Sequence, residues 1–137
     1  MAHQSRDSQR LIVVDGDVLV RHVISDYLRT CGYTVIEAAS TDEAALVLDD
    51  GALGVDAALC DAEAPGSRSA FELRAWALRR RPEVQVILAG SITGAANKAA
   101  ELCEDGPQLR RPYDPQSVAN YVKRIIASRM TEKLRKA

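Results

Sequence analysis

Two apolar runs that each end in an aspartate constrain this chain more than any other feature. Leu11-Ile12-Val13-Val14 runs into Asp15, and the largely apolar Val55 to Cys60 runs into Asp61. Short apolar runs of this kind read as strands covered on both faces, as at the centre of a parallel sheet. In an open α/β sheet, ligands bind at the C-terminal ends of the strands. Strand-end acids on neighbouring strands would therefore share one small acidic pocket, with Pro65-Gly66 marking a loop beside it.

Helical stripes alternate with the strands. Val20, Val23, Ile24, Tyr27, Leu28 and Cys31 recur at spacings of three and four, with Asp17 placed to cap that helix and Gly32 to end it. Thr34 to Ala39 reads as a second strand. Ser40 and Glu43 form a capping-box pattern opening a helix that carries Ala44, Val47 and Leu48, and Asp50-Gly51 breaks it. Ser69 and Glu72 repeat the pattern for a helix reaching about Arg80, before Pro82. Val84 to Ala89 is a fourth strand, followed by an alanine-rich helix from about Thr93 to Cys103 and a short fifth strand near Gln108 to Arg110. Asp114-Pro115 is a cap with proline at the first helical position. The last helix carries Val118, Tyr121, Val122, Ile125 and Ile126, and its stripe extends to Met130 and Leu134.

Five βα units with short, right-handed connections predict an α/β fold, a five-stranded parallel sheet with helices on both faces. The expected strand order is 2-1-3-4-5, which sets strands 1 and 3 side by side and gathers Asp15, Asp17 and Asp61 at their ends.

A length of 137 residues suits one domain. Its core is expected over about 10–126, with a polar, flexible start over 1–9 and a C-terminal helix extension or tail over 127–137. A net charge of −1 argues against a general nucleic-acid or membrane binder. No apolar run is long enough to span a bilayer, and Met1 to Arg10 lacks the apolar centre of a signal peptide, so a cytoplasmic location is expected. Cys31, Cys60 and Cys103 are odd in number and widely spaced; they read as small buried hydrophobes in a reducing compartment rather than as ligands or a redox pair. His22 falls on the polar side of the first helix without a histidine or cysteine partner, and Trp76 reads as a partly covered helix residue. Arg79-Arg80-Arg81 and the tail residues Lys133, Arg135 and Lys136 read as solvated faces.

Val13-Val14-Asp15, Cys60-Asp61 followed by Pro65-Gly66, Phe71-Glu72-Leu73 and Arg111-Pro112-Tyr113-Asp114-Pro115 occur in this order on the βα pattern. Together they resemble the response-regulator receiver domains of bacterial two-component signalling, in the single-domain form typified by chemotaxis receivers. The match runs from about Arg10 to Ile126. The resemblance implies a flavodoxin-like, doubly wound (βα)5 fold. It sets Asp61 at the phospho-acceptor position and Asp15 at the first acid of a magnesium-binding pair, with Asp61 and the Glu63 backbone carbonyl adding to the ion's site. It also marks departures. Gly16 stands where the second acid is usual, and Gly90 stands at the hydroxyl position with Ser91 one residue later. Arg111 replaces the lysine before Pro112, a proline that in the family often follows a cis bond. Gln108 stands at the aromatic switch position. A weak magnesium site, or none, is expected.

Several positions have two readings. Asp17 is either a helix cap or a compensating metal ligand. Ser91 either caps a helix or supplies the hydroxyl, the latter needing a one-residue slip of strand 4 that would turn its side chains over. Arg111 either clamps Asp61 as a planar fork or faces solvent. The leading functional expectation is a stand-alone receiver, not an enzyme, phosphorylated on Asp61 by a histidine kinase or phosphotransfer protein. It would signal to a downstream protein through the fourth helix, fifth strand and fifth helix, the face a homodimer would also use. The alternative is a pseudo-receiver that works by contact without phosphorylation. A small flavodoxin-like nucleotide-binding enzyme ranks below both. No Gly-rich phosphate loop follows strand 1, and Asp15-Gly16-Asp17 would repel phosphate unless a metal intervened. Neither a membrane nor a nucleic acid is expected as partner.

Overall fold

The computed structural model describes residues 9–105 and 115–136, with side chains placed for all of these except 105, 125 and 130–136. In chain order the elements are β1 (Arg10–Val14), α1 (Val18–Thr30), β2 (Thr34–Ala38), α2 (Thr41–Asp49), β3 (Ala57–Asp61), α3 (Ala70–Arg80), β4 (Gln85–Ala89), α4 (Ile92–Asp105) and α5 (Pro115–Lys136). The strands pair in parallel in the order β2-β1-β3-β4.

Alternation along the strands sorts the core into two layers. Leu11, Val13, Ala57 and Leu59 face one side, where α1, α4 and α5 pack with Val20, Ile24, Ala96, Ala99, Val118 and Val122. Ile12, Val14, Ala58 and Cys60 face the other, against Ala44 and Leu48 of α2 and Leu73 and Ala77 of α3. The caps form as the sequence predicts. The Asp17 carboxylate accepts from the N–H groups of Leu19 and Val20. Ser40 accepts from Glu43 N, and Ser69 and Glu72 complete a reciprocal capping box. Gly32 takes a φ of 110°, as a residue ending a helix often does.

Three expectations are corrected. First, the sheet has four strands among the described residues rather than five. Gln108 to Arg110, expected as the fifth strand, lie outside the described residues. The alanine-rich helix expected from about Thr93 to Cys103 does form, as α4 on the α1 side of the sheet, and α5 packs against it. Second, Arg81 is not on a solvated face. It is only 8 % exposed and its guanidinium donates to the carbonyls of Leu48, Asp50 and Leu53, closing the α2–β3 connection, with Glu83 as ion partner. Three carbonyls, that of Leu48 buried and those of Asp50 and Leu53 partly so, need donors, and a long forked cation supplies them at once. Third, Cys31 and Cys103 are not separate thiols. They form a disulfide, Cα–Cα 5.5 Å, joining the ends of α1 and α4 across 72 residues of chain. Beside it, Tyr33 Oη donates to the Leu102 carbonyl at 2.6 Å.

Candidate functional site at the strand ends

Asp15 and Asp61 continue the strand alternation that faces α1 and α4, so both carboxylates point to the same side of the sheet rim. They line one cavity of about 280 Å³ with Asp17, Glu63, Ser91 and Ala89. Its walls are apolar: Val20, Ile24, Leu59, Ile92, Ala95 and Ile126. The sequence expectation that Asp15, Asp17 and Asp61 converge therefore holds in the geometry.

Each acid is held differently. Asp15 accepts from Asp17 N at 2.8 Å, and its backbone is tied to the sheet by a hydrogen bond from its N–H to the Ala38 carbonyl. Burial pushes its carboxyl up to about 6, against the Asp17 N–H that favours the charge; the negative charge of Asp61 adds to the rise. Asp17 is a helix cap and also an ion partner: Arg129 Nη2 lies 2.9 Å from its Oδ2. Partial burial alone would raise its pKa, but the cap N–H groups and Arg129 hold it below the usual carboxylate range. Asp61 accepts from Glu63 N at 3.2 Å, which shapes the turn after β3. Behind it, burial and then the Asp61 and Asp15 charges push the Cys60 thiol up to about 12, so Cys60 is a protonated core residue.

Ser91 is both a cap and a cavity residue. Its hydroxyl accepts from Gly94 N at 2.9 Å at the start of α4, and it lines the cavity without any strand slip, since Asp61 pairs with Ala89. A Cβ added at Gly90 would meet nothing within 4 Å. Arg111, Pro112 and Gln108 lie outside the described residues, and both readings of Arg111, clamp on Asp61 or solvent-facing, lie there with them. Sequence reasoning missed Arg129 altogether. Its only signal was a basic residue one turn beyond Ile126 on a helix longer than the core requires.

The Pro65-Gly66 loop closes the rim. Thr41 N donates to the Pro65 carbonyl and Thr41 Oγ1 to the Arg68 carbonyl. Gly66 has a φ of 143°, and a Cβ there would collide with Thr41, so only glycine lets the loop sit this close to α2.

The donor set fits a magnesium ion in part. Asp15 and Asp61, which line the cavity with Glu63, suit the ion's preference for a few carboxylates completed by water. Their mutual repulsion is the strain that a bound cation would relieve. Asp17 is spent on its cap and on Arg129, and among the described residues no group of three His, Cys, Asp or Glu is arranged to hold a metal.

Known proteins share this architecture. The response regulator TrrA of Thermotoga maritima, solved with Mg²⁺ and a beryllofluoride group, is 26 % identical and superposes with a TM-score of 0.54, covering 59 % of this chain and 68 % of that one. A CheY-like receiver domain from Methanospirillum hungatei is 21 % identical with a TM-score of 0.56, covering 90 % of this chain and 98 % of its own. In sequence, the transcriptional regulatory protein AruR of Pseudomonas aeruginosa is 31 % identical over 124 residues, 85 % of this chain. The chain spans about half the length of that relative, 49 %. No family model matches the chain. In fold this chain is similar to response-regulator receiver domains, and in sequence over most of its length to part of a transcriptional regulatory protein. No helix among the described residues is long and apolar enough to cross a membrane.

Proposed function

We propose that the chain accepts a phosphoryl group on Asp61 from a histidine kinase or phosphotransfer protein and passes the signal on by protein contact. The observation that carries this reading is the shared placement of Asp61 and Asp15 at the ends of adjacent strands, in a cavity that also holds the Ser91 hydroxyl. A carboxylate oxygen of Asp61 attacks phosphorus, the phosphorus–nitrogen bond of the donor breaks, and the donor imidazole keeps that electron pair. Such transfers depend on positioning and charge neutralisation more than on covalent help from the protein. Magnesium, held by Asp15, Asp61 and the Glu63 carbonyl, would supply that neutralisation. Ser91 is the nearby hydroxyl available to one phosphoryl oxygen. The α4–α5 layer, which exposes Tyr121, is the surface proposed for a downstream protein or a second copy of the chain.

A pseudo-receiver that signals without phosphorylation is the second reading. One observation favours it: Pro65 fills the space over Gly16, where the usual second acid would stand. Incubation with acetyl phosphate and magnesium, followed by intact mass, separates the two. A single added phosphoryl group, absent from Asp61→Asn, supports the first reading. An unmodified chain supports the second.

A further inference from the structure

The middle of α5 makes three contacts at or beside the acidic pocket. Lys123 Nζ donates to Thr93 Oγ1 at 2.7 Å at the start of α4. Ile126 lines the cavity wall. Arg129 Nη2 sits 2.9 Å from Asp17 Oδ2, a contact between residues 112 apart in the chain. Positions 123, 126 and 129 are three apart, so one side of the helix makes all these contacts. Asp17 is thereby fully used: Oδ1 serves the Leu19 and Val20 N–H groups and Oδ2 serves Arg129.

A guanidinium keeps its charge at every ordinary pH. A divalent ion between Asp15 and Asp61 would bring two positive charges into the cavity that Asp17, the partner of Arg129, lines. It would repel Arg129 and compete for Asp17 Oδ2, the Asp17 oxygen that takes no backbone N–H. We propose that Arg129 is a built-in counter-cation at the pocket's rim, and that divalent-cation binding and docking of the 123–129 stretch of α5 exclude one another. This deepens the receiver reading, on which it rests, by naming the element that moves. Coupling of this kind is reciprocal: whatever Arg129 costs the ion in affinity, the ion costs α5 in docking. The pair is half-exposed, so the coupling is modest and weakens with salt.

The test uses the full chain with Mg²⁺ as probe. Calorimetric affinity is measured for the parent, Arg129→Gln, Arg129→Lys and Asp61→Asn. Backbone amide exchange across residues 123–129 is followed with and without the ion. Arg129→Gln is expected to bind about fivefold tighter, Arg129→Lys close to the parent, and Asp61→Asn more weakly. Saturating Mg²⁺ is expected to lower amide protection at 123–129 in the parent and to change it no further in Arg129→Gln. Equal affinity in the parent and Arg129→Gln, with Asp61→Asn still weaker, would overturn the proposal and leave the pocket as the cation site. Unchanged protection at saturation would overturn it equally. Absence of saturable binding in all four chains would remove the cation site and the proposal together.

Discussion

The ring of Pro65 lies over the α-carbon of Gly16: a Cβ built at Gly16 would come within 2.9 Å of Pro65 Cδ and 3.0 Å of Cγ. A pyrrolidine ring cannot swing aside as a long side chain can, so the loop itself must yield. The missing second acid of the site is therefore tied to a loop packed into its place.

Gly16→Asp should cost about 1–3 kcal/mol of stability, read as a lower midpoint in urea. Gly90→Thr should fold as stably as the parent, because a side chain there meets open space. If the phosphorylation reading holds, Gly90→Thr also labels faster, through the added hydroxyl at the end of β4. Equal urea midpoints for Gly16→Asp and the parent would show that the Pro65 loop is softer than its packing indicates.

Asp15 makes stability depend on pH in a direction opposite to most carboxylates. Its pKa rises from 3.8 to about 6 on folding. Between those values the folded protein holds a proton that the unfolded chain has released. Stability therefore falls as pH rises from about 4 to 6, and the penalty is complete above that window. Asp15→Asn should be more stable than the parent at pH 7, and should lack this slope while still accepting from Asp17 N. Asp17 and Glu37, both held low, act in the usual sense and lose their contribution as pH drops below about 4. Thermal midpoints of parent and Asp15→Asn across pH 4 to 7 would check the sign; parallel profiles would refute it.

Reduction of Cys31–Cys103 should destabilise the α1–α4 junction. In the loop-entropy model, closing a loop of this length stabilises a fold by about 4 kcal/mol. The thermal midpoint should fall on adding a reductant, and the Cys31→Ala, Cys103→Ala double variant should match the reduced parent and be insensitive to it. A reductant-independent midpoint in the parent would mean that the bond does not form in solution.

Much of the layout was legible in local pattern. The apolar runs at Leu11 to Val14 and Val55 to Cys60 and the caps at Asp17, Ser40 and Ser69 follow from nearest-neighbour signals, and the adjacency of β1 and β3 from the strand order usual for such a βα series. What escaped depends on long-range contact. Arg81 looks like its exposed neighbours Arg79 and Arg80 until the α2–β3 loop brings three carbonyls to it. Cys31 and Cys103 pair only because α4 packs against α1, which no spacing encodes. Arg129 meets Asp17 only through the course of α5. Arg81→Ala should accordingly cost about 2–3 kcal/mol, whereas Arg79→Ala should be near neutral. Similar urea midpoints for the two variants would contradict that distinction.

The central claim is that Asp61 accepts a phosphoryl group. The most direct measurement is intact mass of the full chain after acetyl phosphate and magnesium, with and without hydroxylamine, alongside Asp61→Asn. One added phosphoryl group is expected in the parent, lost on hydroxylamine treatment as befits an acyl phosphate, and none in Asp61→Asn. An unmodified parent, or equal modification of Asp61→Asn, would contradict it.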